Sequence, residues 1–206
     1  MGFYDRHILP RLIGAACAQP DIDAQRRKVV PHAEGVVLEL GFGTGLNLPH
    51  YDPTKVTRLY ALEPAEGMLS RARHAAQASP VPIDILPEPA ERLSLPERSI
   101  DTVVTTYCLC TIPDVAAALG GARRALKPGG RLLFCEHGLA PDPKVARWQR
   151  RIEPFWKPIA GGCHLARDIR GLITAAGFRI ERVDAGYRPN SPRWAGFDML
   201  GAATPE

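Results

Sequence analysis

The sequence predicts an α/β fold: a mostly parallel sheet with helices on both faces, in a single domain. Short apolar runs alternate with segments of helix length, which is the pattern of parallel strands joined by helical crossovers. The chain has 206 residues, enough for one well-buried core of this class and too few for two. The first five predicted strands cover residues 36–40, 58–63, 83–86, 101–105 and 131–135.

Capping and turn residues set the limits of the predicted helices. Asp114 can cap a helix over residues 115–126, and Pro128, Gly129 and Gly130 must end it before the fifth strand begins. The remaining predicted elements are a helix over residues 166–176, closed by Gly177, and two late strands over residues 178–183 and 197–203.

An acid and three alternating glycines follow the first predicted strand. Glu39 stands two residues before Gly41, and Gly43 and Gly45 complete the motif. Glycines at these positions let the backbone turn sharply and approach a ligand closely. The spacing G-x-G-x-G departs from the dinucleotide fingerprint G-x-G-x-x-G, and a carboxylate beside the loop disfavours a bare pyrophosphate. A ligand with a cationic amino acid end, such as S-adenosylmethionine, suits the site better.

This motif and its surroundings resemble the class I S-adenosylmethionine-dependent methyltransferases. Glu63, after the second strand, matches the acid that accepts both ribose hydroxyls in that family, and Ala90-Glu91 resembles the segment that lies along the adenine. The resemblance implies a Rossmann-like, seven-stranded sheet and S-adenosylmethionine as the cofactor. The cofactor-binding residues that it implies are Glu39, Gly41, Gly43, Gly45, Asn47, Glu63, Pro64, Ala90, Glu91 and Thr106.

The same resemblance divides the domain into three parts. Residues 1–33 are predicted to form a helical lid, residues 34–140 the cofactor-binding core, and residues 141–206 an acceptor-side insertion with the last two strands. The first segment mixes aromatic, apolar and titratable side chains. One apolar helix face docked on the sheet accounts for that mixture as well as a lid does.

The segment after the fourth strand bears on the methyl acceptor. Many amino-group methyltransferases carry Asn/Asp-Pro-Pro-Tyr/Phe here, whereas this chain has Tyr107-Cys108-Leu109-Cys110. That sequence, Glu136-His137 and the segment Gly162-Cys163-His164-Leu165 are similar to the alkyl thiol S-methyltransferases. The resemblance implies S-methylation of a small lipophilic thiol. The alternatives are C- or O-methylation of a quinone-like or phenolic acceptor, and a non-catalytic subunit that binds the cofactor for a partner.

Three residues are candidates for catalysis. A thiol has a pKa of about 8.5, so a nearby imidazole that favours the anion would raise the reactive fraction. His137 is the predicted base, although a structural hydrogen bond to the neighbouring loop explains the same residue. Tyr107 and His7 are further candidates for the acceptor pocket.

Composition argues against several partners. The net charge of +4 is mild and spread along the chain, so a nucleic-acid surface is not indicated. No apolar run approaches the roughly 18 residues that span a bilayer, and a cytoplasmic location is predicted. The five cysteines form no C-x-x-C pair, so neither a disulfide framework nor a zinc site is predicted.

A basic and aromatic segment over residues 147–159 has two interpretations. Its apolar residues recur at helical spacing, which predicts an amphipathic helix docked on the core. Alternatively, Pro154 and Pro158 break the helix into a mobile lid over a lipophilic acceptor, with transient contact to a membrane surface.

Overall fold

Seven strands form one sheet in the computed structural model, which describes residues 9–206. Strands β1 to β5 are parallel in the order β3-β2-β1-β4-β5, and β7 runs antiparallel between β5 and β6. This confirms the predicted mostly parallel, seven-stranded architecture. The strands are β1 (Gly35–Leu40), β2 (Val56–Leu62), β3 (Ile83–Leu86), β4 (Ile100–Thr106), β5 (Leu126–His137), β6 (Phe178–Tyr187) and β7 (Phe197–Pro205).

Helices cover both faces of the sheet. Side chains alternate along each strand, so Leu38 faces one apolar core and Val37 faces the other. Leu119 and Ile173 from two helices pack in the first core, while Ala72 of a third helix packs in the second. The described helices are α1 (Leu9–Cys17), α2 (Pro20–Arg26), α3 (Glu66–Gln77), α4 (Val115–Ala125), α5 (Pro143–Ile159) and α6 (Ile169–Ala175).

Strand β1 is the point where the strand order reverses. It pairs with β2 on one side and with β4 on the other. In open α/β sheets the connections then leave in opposite directions and open a crevice at the carboxyl ends of the strands. The segments after β1, β2, β3 and β4 therefore meet at one edge.

Strand β5 is longer than predicted at its start. It begins at Leu126, which pairs with Ile100, and its register shifts before Arg131 pairs with Thr102. Gly129 lies inside this irregularity with a φ of 81°. Pro128, Gly129 and Gly130 thus form a distortion within the strand rather than a turn ahead of it, and α4 ends at Ala125.

Two helices also differ from their predicted limits. α6 begins at Ile169 rather than at residue 166, because the Asp168 side chain accepts the N–H of Gly171 at 2.9 Å and caps the helix there. α5 runs without a break through Pro154 and Pro158, as the predicted amphipathic helix does, and the alternative in which the prolines interrupt it was wrong. Both prolines are exposed, which leaves the carbonyl oxygens that they free within reach of water.

The helices that the structure describes all lie between residues 9 and 206. None of them is long and apolar enough to cross a bilayer.

Candidate functional site

A cavity of about 450 Å³ opens at the carboxyl edge of β1 to β4. Its lining comes from the loops after these strands and from α1 with the end of α2. Gly45, predicted to contact the cofactor, lies outside the lining. The predicted cofactor residues that line the cavity are Glu39, Gly41, Gly43, Asn47, Glu63, Pro64, Ala90, Glu91 and Thr106.

Glycine is required in the loop after β1 for two different reasons. Gly41 has a φ of 71°, and a Cβ there would lie 2.2 Å from the Cys108 Sγ, so the loop closes against the segment after β4 only without a side chain. Gly43 has a φ of 60° and lines the cavity, and an added Cβ would meet no atom within 4 Å. The loop therefore leaves open space beside its backbone, as a cradle for a ligand does.

Glu39 is a buried carboxyl group at the floor of the cavity. It is 2% exposed and accepts the Tyr51 hydroxyl at 2.7 Å and the Asn47 Nδ2 at 2.9 Å. Burial raises its pKa to about 7, although both hydrogen bonds act against that change. Asn47 also donates to the Thr106 Oγ1 at 3.0 Å, which ties the loop after β1 to the end of β4. A cationic ligand group beside Glu39 would favour its ionised form.

Glu63 connects the loops after β1 and β2. Its carboxyl oxygens accept the N–H groups of Gly43 at 2.7 Å and of Ala65 at 2.8 Å. Burial raises the pKa of Glu63 above its ordinary value, against the effect of these two hydrogen bonds. The acid thus lines the cavity and also holds the glycine loop in place.

Arg26, at the end of α2, brings a cation to the cavity and was not predicted from the sequence. It is 4% exposed, and its Nη1 donates to the carbonyl oxygen of Cys17 at 2.7 Å. Its Nε makes no hydrogen bond within the described part of the chain. Of the described residues that line the cavity, Arg26 alone carries a cationic side chain. An arginine in the last turn of a short helix has no pattern that would have singled it out.

Tyr107 lies beside Arg26 with an unusual backbone. Its φ is 52°, a conformation that costs a residue other than glycine about 1 to 3 kcal/mol. The Arg26 guanidinium lies 5.2 Å from the ring centroid, and the hydroxyl donates to the Asp198 carboxylate at 2.7 Å. Burial holds the pKa of Tyr107 far above its ordinary value. Tyr107 therefore lines the cavity as a neutral, tethered phenol.

Glu136 and His137 lie behind the cavity wall. Glu136 is fully buried and accepts the Thr105 hydroxyl at 2.7 Å and the Cys108 N–H at 3.0 Å, so it supports the loop after β4. The His137 Nε2 lies 3.2 Å from the Cys163 Sγ. Burial alone would lower the pKa of His137, but the contact with Cys163 and the nearby carboxyl groups outweigh burial and raise it.

The predicted catalytic residues thus differ in their position relative to the cavity. Tyr107 lines the cavity, whereas His137 does not and faces a thiol of this chain instead. This geometry offers no contact through which His137 would act on a ligand in the cavity. His7 lies outside the described residues. No residue of α5 is part of the described lining, and Trp156 packs edge-on against Trp194 with ring centroids 5.4 Å apart.

The chain is similar in sequence to a known protein family and to several known proteins. A family model described as a methyltransferase domain matches residues 38–134. The thiol S-methyltransferase TMT1B of Rattus norvegicus is 35% identical over 174 residues, which cover 82% of this chain and 70% of the relative. Its counterpart in Homo sapiens is 35% identical over 134 residues, which cover 64% of this chain and 55% of the relative.

A solved structure shows the same fold over nearly the whole chain. A methyltransferase from Thermotoga maritima that depends on S-adenosylmethionine superposes with a TM-score of 0.69. The match covers 98% of this chain and 100% of the other at 21% identity.

Proposed function

This chain belongs to the S-adenosylmethionine-dependent methyltransferases, and we propose that it methylates the sulfur atom of a small lipophilic thiol. Two of its relatives are thiol S-methyltransferases. The structural observation that carries the proposal is Arg26, a buried guanidinium with an unpaired N–H at the wall of an otherwise mainly apolar cavity.

The cavity fits the cofactor through its own residues. The open backbone at Gly43 offers room for close approach, and we assign the α-ammonium to Glu39 and the ribose hydroxyls to Glu63. When bound, S-adenosylmethionine supplies a methyl group made electrophilic by a positively charged sulfur. Glu39, with a pKa of about 7, changes its protonation close to neutral pH and becomes an anionic partner for a cation.

Arg26 supplies a positive charge that favours the thiolate form of a thiol acceptor. A free thiol has a pKa of about 8.5, so at neutral pH most of it is protonated and weakly nucleophilic. The guanidinium acts to lower the pKa of a thiol held beside it, although at Cys17, the thiol of this chain next to Arg26, burial outweighs that effect and raises the pKa. The apolar side chains of Leu9 and Ile13 on α1 line the same cavity and accommodate the lipophilic part of the acceptor. Holding the anion in line with the methyl group then provides much of the rate acceleration.

A screen with labelled cofactor against alkyl thiols, aryl thiols, phenols, quinols and amines tests the acceptor class. We expect thiols to be methylated far faster than the other classes. Faster turnover of phenols or quinols would replace the thiol proposal with O- or C-methylation. Cofactor binding without turnover of any class would favour the non-catalytic subunit.

We also propose transient contact with an anionic membrane surface through α5. Trp148, Phe155 and Ile159 are 59%, 79% and 60% exposed, and their spacing puts them on one stripe of the helix. Arg151 is exposed beside this stripe. An exposed apolar stripe beside basic residues is typical of helices that lie in a membrane interface, where a lipophilic acceptor concentrates.

The cysteines are all unpaired, and we place the protein in the cytoplasm.

A further inference from the structure

Two thiols and an imidazole from distant parts of the chain meet next to the cavity wall. Cys110 lies in the loop after β4, His137 ends β5, and Cys163 follows α5. Their ligand atoms, two Sγ and one imidazole nitrogen, all lie within 4.8 Å of one another. The neighbouring residues Thr111 and Gly161 line the cavity. The S-methylation mechanism proposed above assigns no role to any of these three groups.

We propose that Cys110, His137 and Cys163 bind one zinc ion, with a water molecule as the fourth ligand. Zinc prefers thiolate and imidazole ligands, with Zn–S of about 2.3 Å and Zn–N of about 2.0 Å in tetrahedral geometry, so its ligand atoms lie about 3.5 to 3.8 Å apart. The His137 Nε2 and the Cys163 Sγ are 3.2 Å apart, and the largest separation in the cluster is within 4.8 Å. Shifts of about 1 Å or less bring all three atoms to zinc-binding distances.

The net charge of the zinc-bound cluster also fits a buried position. Zinc binding displaces one proton from each thiol, and a zinc ion with two thiolates and a neutral imidazole has no net charge. A neutral centre is far less costly to bury than an unpaired ion.

The backbone around the cluster is already arranged to hold three ligands. The His164 N–H donates to the Cys110 carbonyl oxygen at 2.8 Å, and the Arg167 guanidinium donates to the Ile112 carbonyl oxygen at 2.7 Å. These bonds join the segment after α5 to the loop after β4, the same two segments that carry the thiols. A zinc ion would also join the end of β5 to these two segments through His137. It would thereby hold in place the part of the cavity wall behind Tyr107.

A disulfide between Cys110 and Cys163 is the competing use of the two thiols. It would form by loss of two electrons and two protons to an external oxidant. A disulfide would leave the His137 imidazole without a role, although its Nε2 already contacts the Cys163 Sγ. The imidazole therefore favours the metal.

Zinc titration of the full chain tests the proposal without any activity measurement. The protein is prepared under reducing conditions, freed of metal, and titrated with zinc against a chromophoric chelator. We expect one zinc per chain. Cobalt should give the thiolate-to-metal charge-transfer and d–d absorption of a tetrahedral site. Cys110→Ser and Cys163→Ser should each abolish stoichiometric binding and the cobalt spectrum.

Cys17→Ser is the matched control. Cys17 is a half-buried thiol on α1 outside the cluster, and its replacement should leave zinc stoichiometry and the cobalt spectrum unchanged. Circular dichroism checks that each variant is folded, and His137→Gln provides a third ligand variant that keeps both thiols. Wild-type protein that binds no stoichiometric zinc after reduction would overturn the proposal. Binding at wild-type strength in all three ligand variants would overturn it as well.

Discussion

The Glu63 carboxylate accepts the Gly43 N–H at 2.7 Å, so the acid after β2 fixes the glycine loop after β1. Both residues line the cavity. A ligand that contacts the loop and the acid therefore meets a surface that is already arranged, which reduces the conformational cost of binding.

Replacing Glu63 should weaken S-adenosylmethionine binding. Glu63→Ala removes an acceptor for the ribose hydroxyls and also releases the Gly43 N–H, and we expect a loss of about 1.5 to 3 kcal/mol, the range for a hydrogen bond to a charged group. Titration calorimetry measures the change. Glu66→Gln, an exposed acid three residues further on, is the control and should bind as the wild type does. Binding of NAD in place of S-adenosylmethionine would contradict the assignment of this cavity.

The glycine loop and its acids could be predicted because they are local in sequence. Glu39, Gly41 and Gly43 lie within five residues, and the alternation of strands and helices shows which edge of the sheet they reach. Arg26 could not be predicted in this way. Its role depends on how α2 packs beside Tyr107, a contact between residues far apart in the chain.

The cluster of two thiols and one imidazole could not be predicted from the sequence either. The linear spacing of Cys110, His137 and Cys163 contains no metal-binding motif, and only the order of β4, β5 and the segment after α5 brings them together. The strand extension at Leu126 was missed for a related reason. A Pro-Gly-Gly sequence predicts a turn, but strand pairing with Ile100 continues the sheet around it.

Arg26 should control the pH dependence of thiol methylation. With the guanidinium present, the bound thiol is deprotonated at lower pH, so Arg26→Met should move the rise of kcat/KM to higher pH. A shift of one pH unit corresponds to about 1.4 kcal/mol and to roughly a tenfold loss of rate at neutral pH. Arg27→Met is the matched control because Arg27 is the next residue, is exposed and pairs with Asp23. An unchanged pH profile in Arg26→Met, with cofactor affinity intact, would remove Arg26 from the mechanism.

Glu39 should make the ligand-free protein less stable as the pH rises. Its pKa is raised from 4.5 to about 7 in the folded chain, so its stabilising contribution is complete below pH 4.5 and is lost as the pH passes through 7. Glu39→Gln removes this dependence. Relative to the wild type, the variant should gain stability between pH 5 and pH 8, with an upper limit of about 3 kcal/mol.

Urea unfolding at the two pH values measures this difference, and S-adenosylmethionine titration of the same variant should show weaker binding. Glu66→Gln again serves as the control, with no change in the pH dependence of its unfolding free energy. A Glu39→Gln protein that is no more stable than the wild type at pH 8 would show that Glu39 remains ionised there at little cost.

The α5 stripe should bind anionic vesicles in a salt-dependent way. Phe155 is 79% exposed, and burying such a side chain in a membrane interface contributes about 1.5 to 3 kcal/mol, so Phe155→Ser should reduce vesicle binding by roughly tenfold or more. Arg151→Gln should reduce it by about fivefold, from about 1 kcal/mol for each basic residue near an anionic surface. Co-sedimentation with phosphatidylserine-containing and with purely zwitterionic vesicles measures both effects. Arg170→Gln, an exposed arginine on α6, is the control and should bind as the wild type does. Equal binding to both vesicle types, or equal losses in Arg151→Gln and Arg170→Gln, would show that α5 does not recognise an anionic surface.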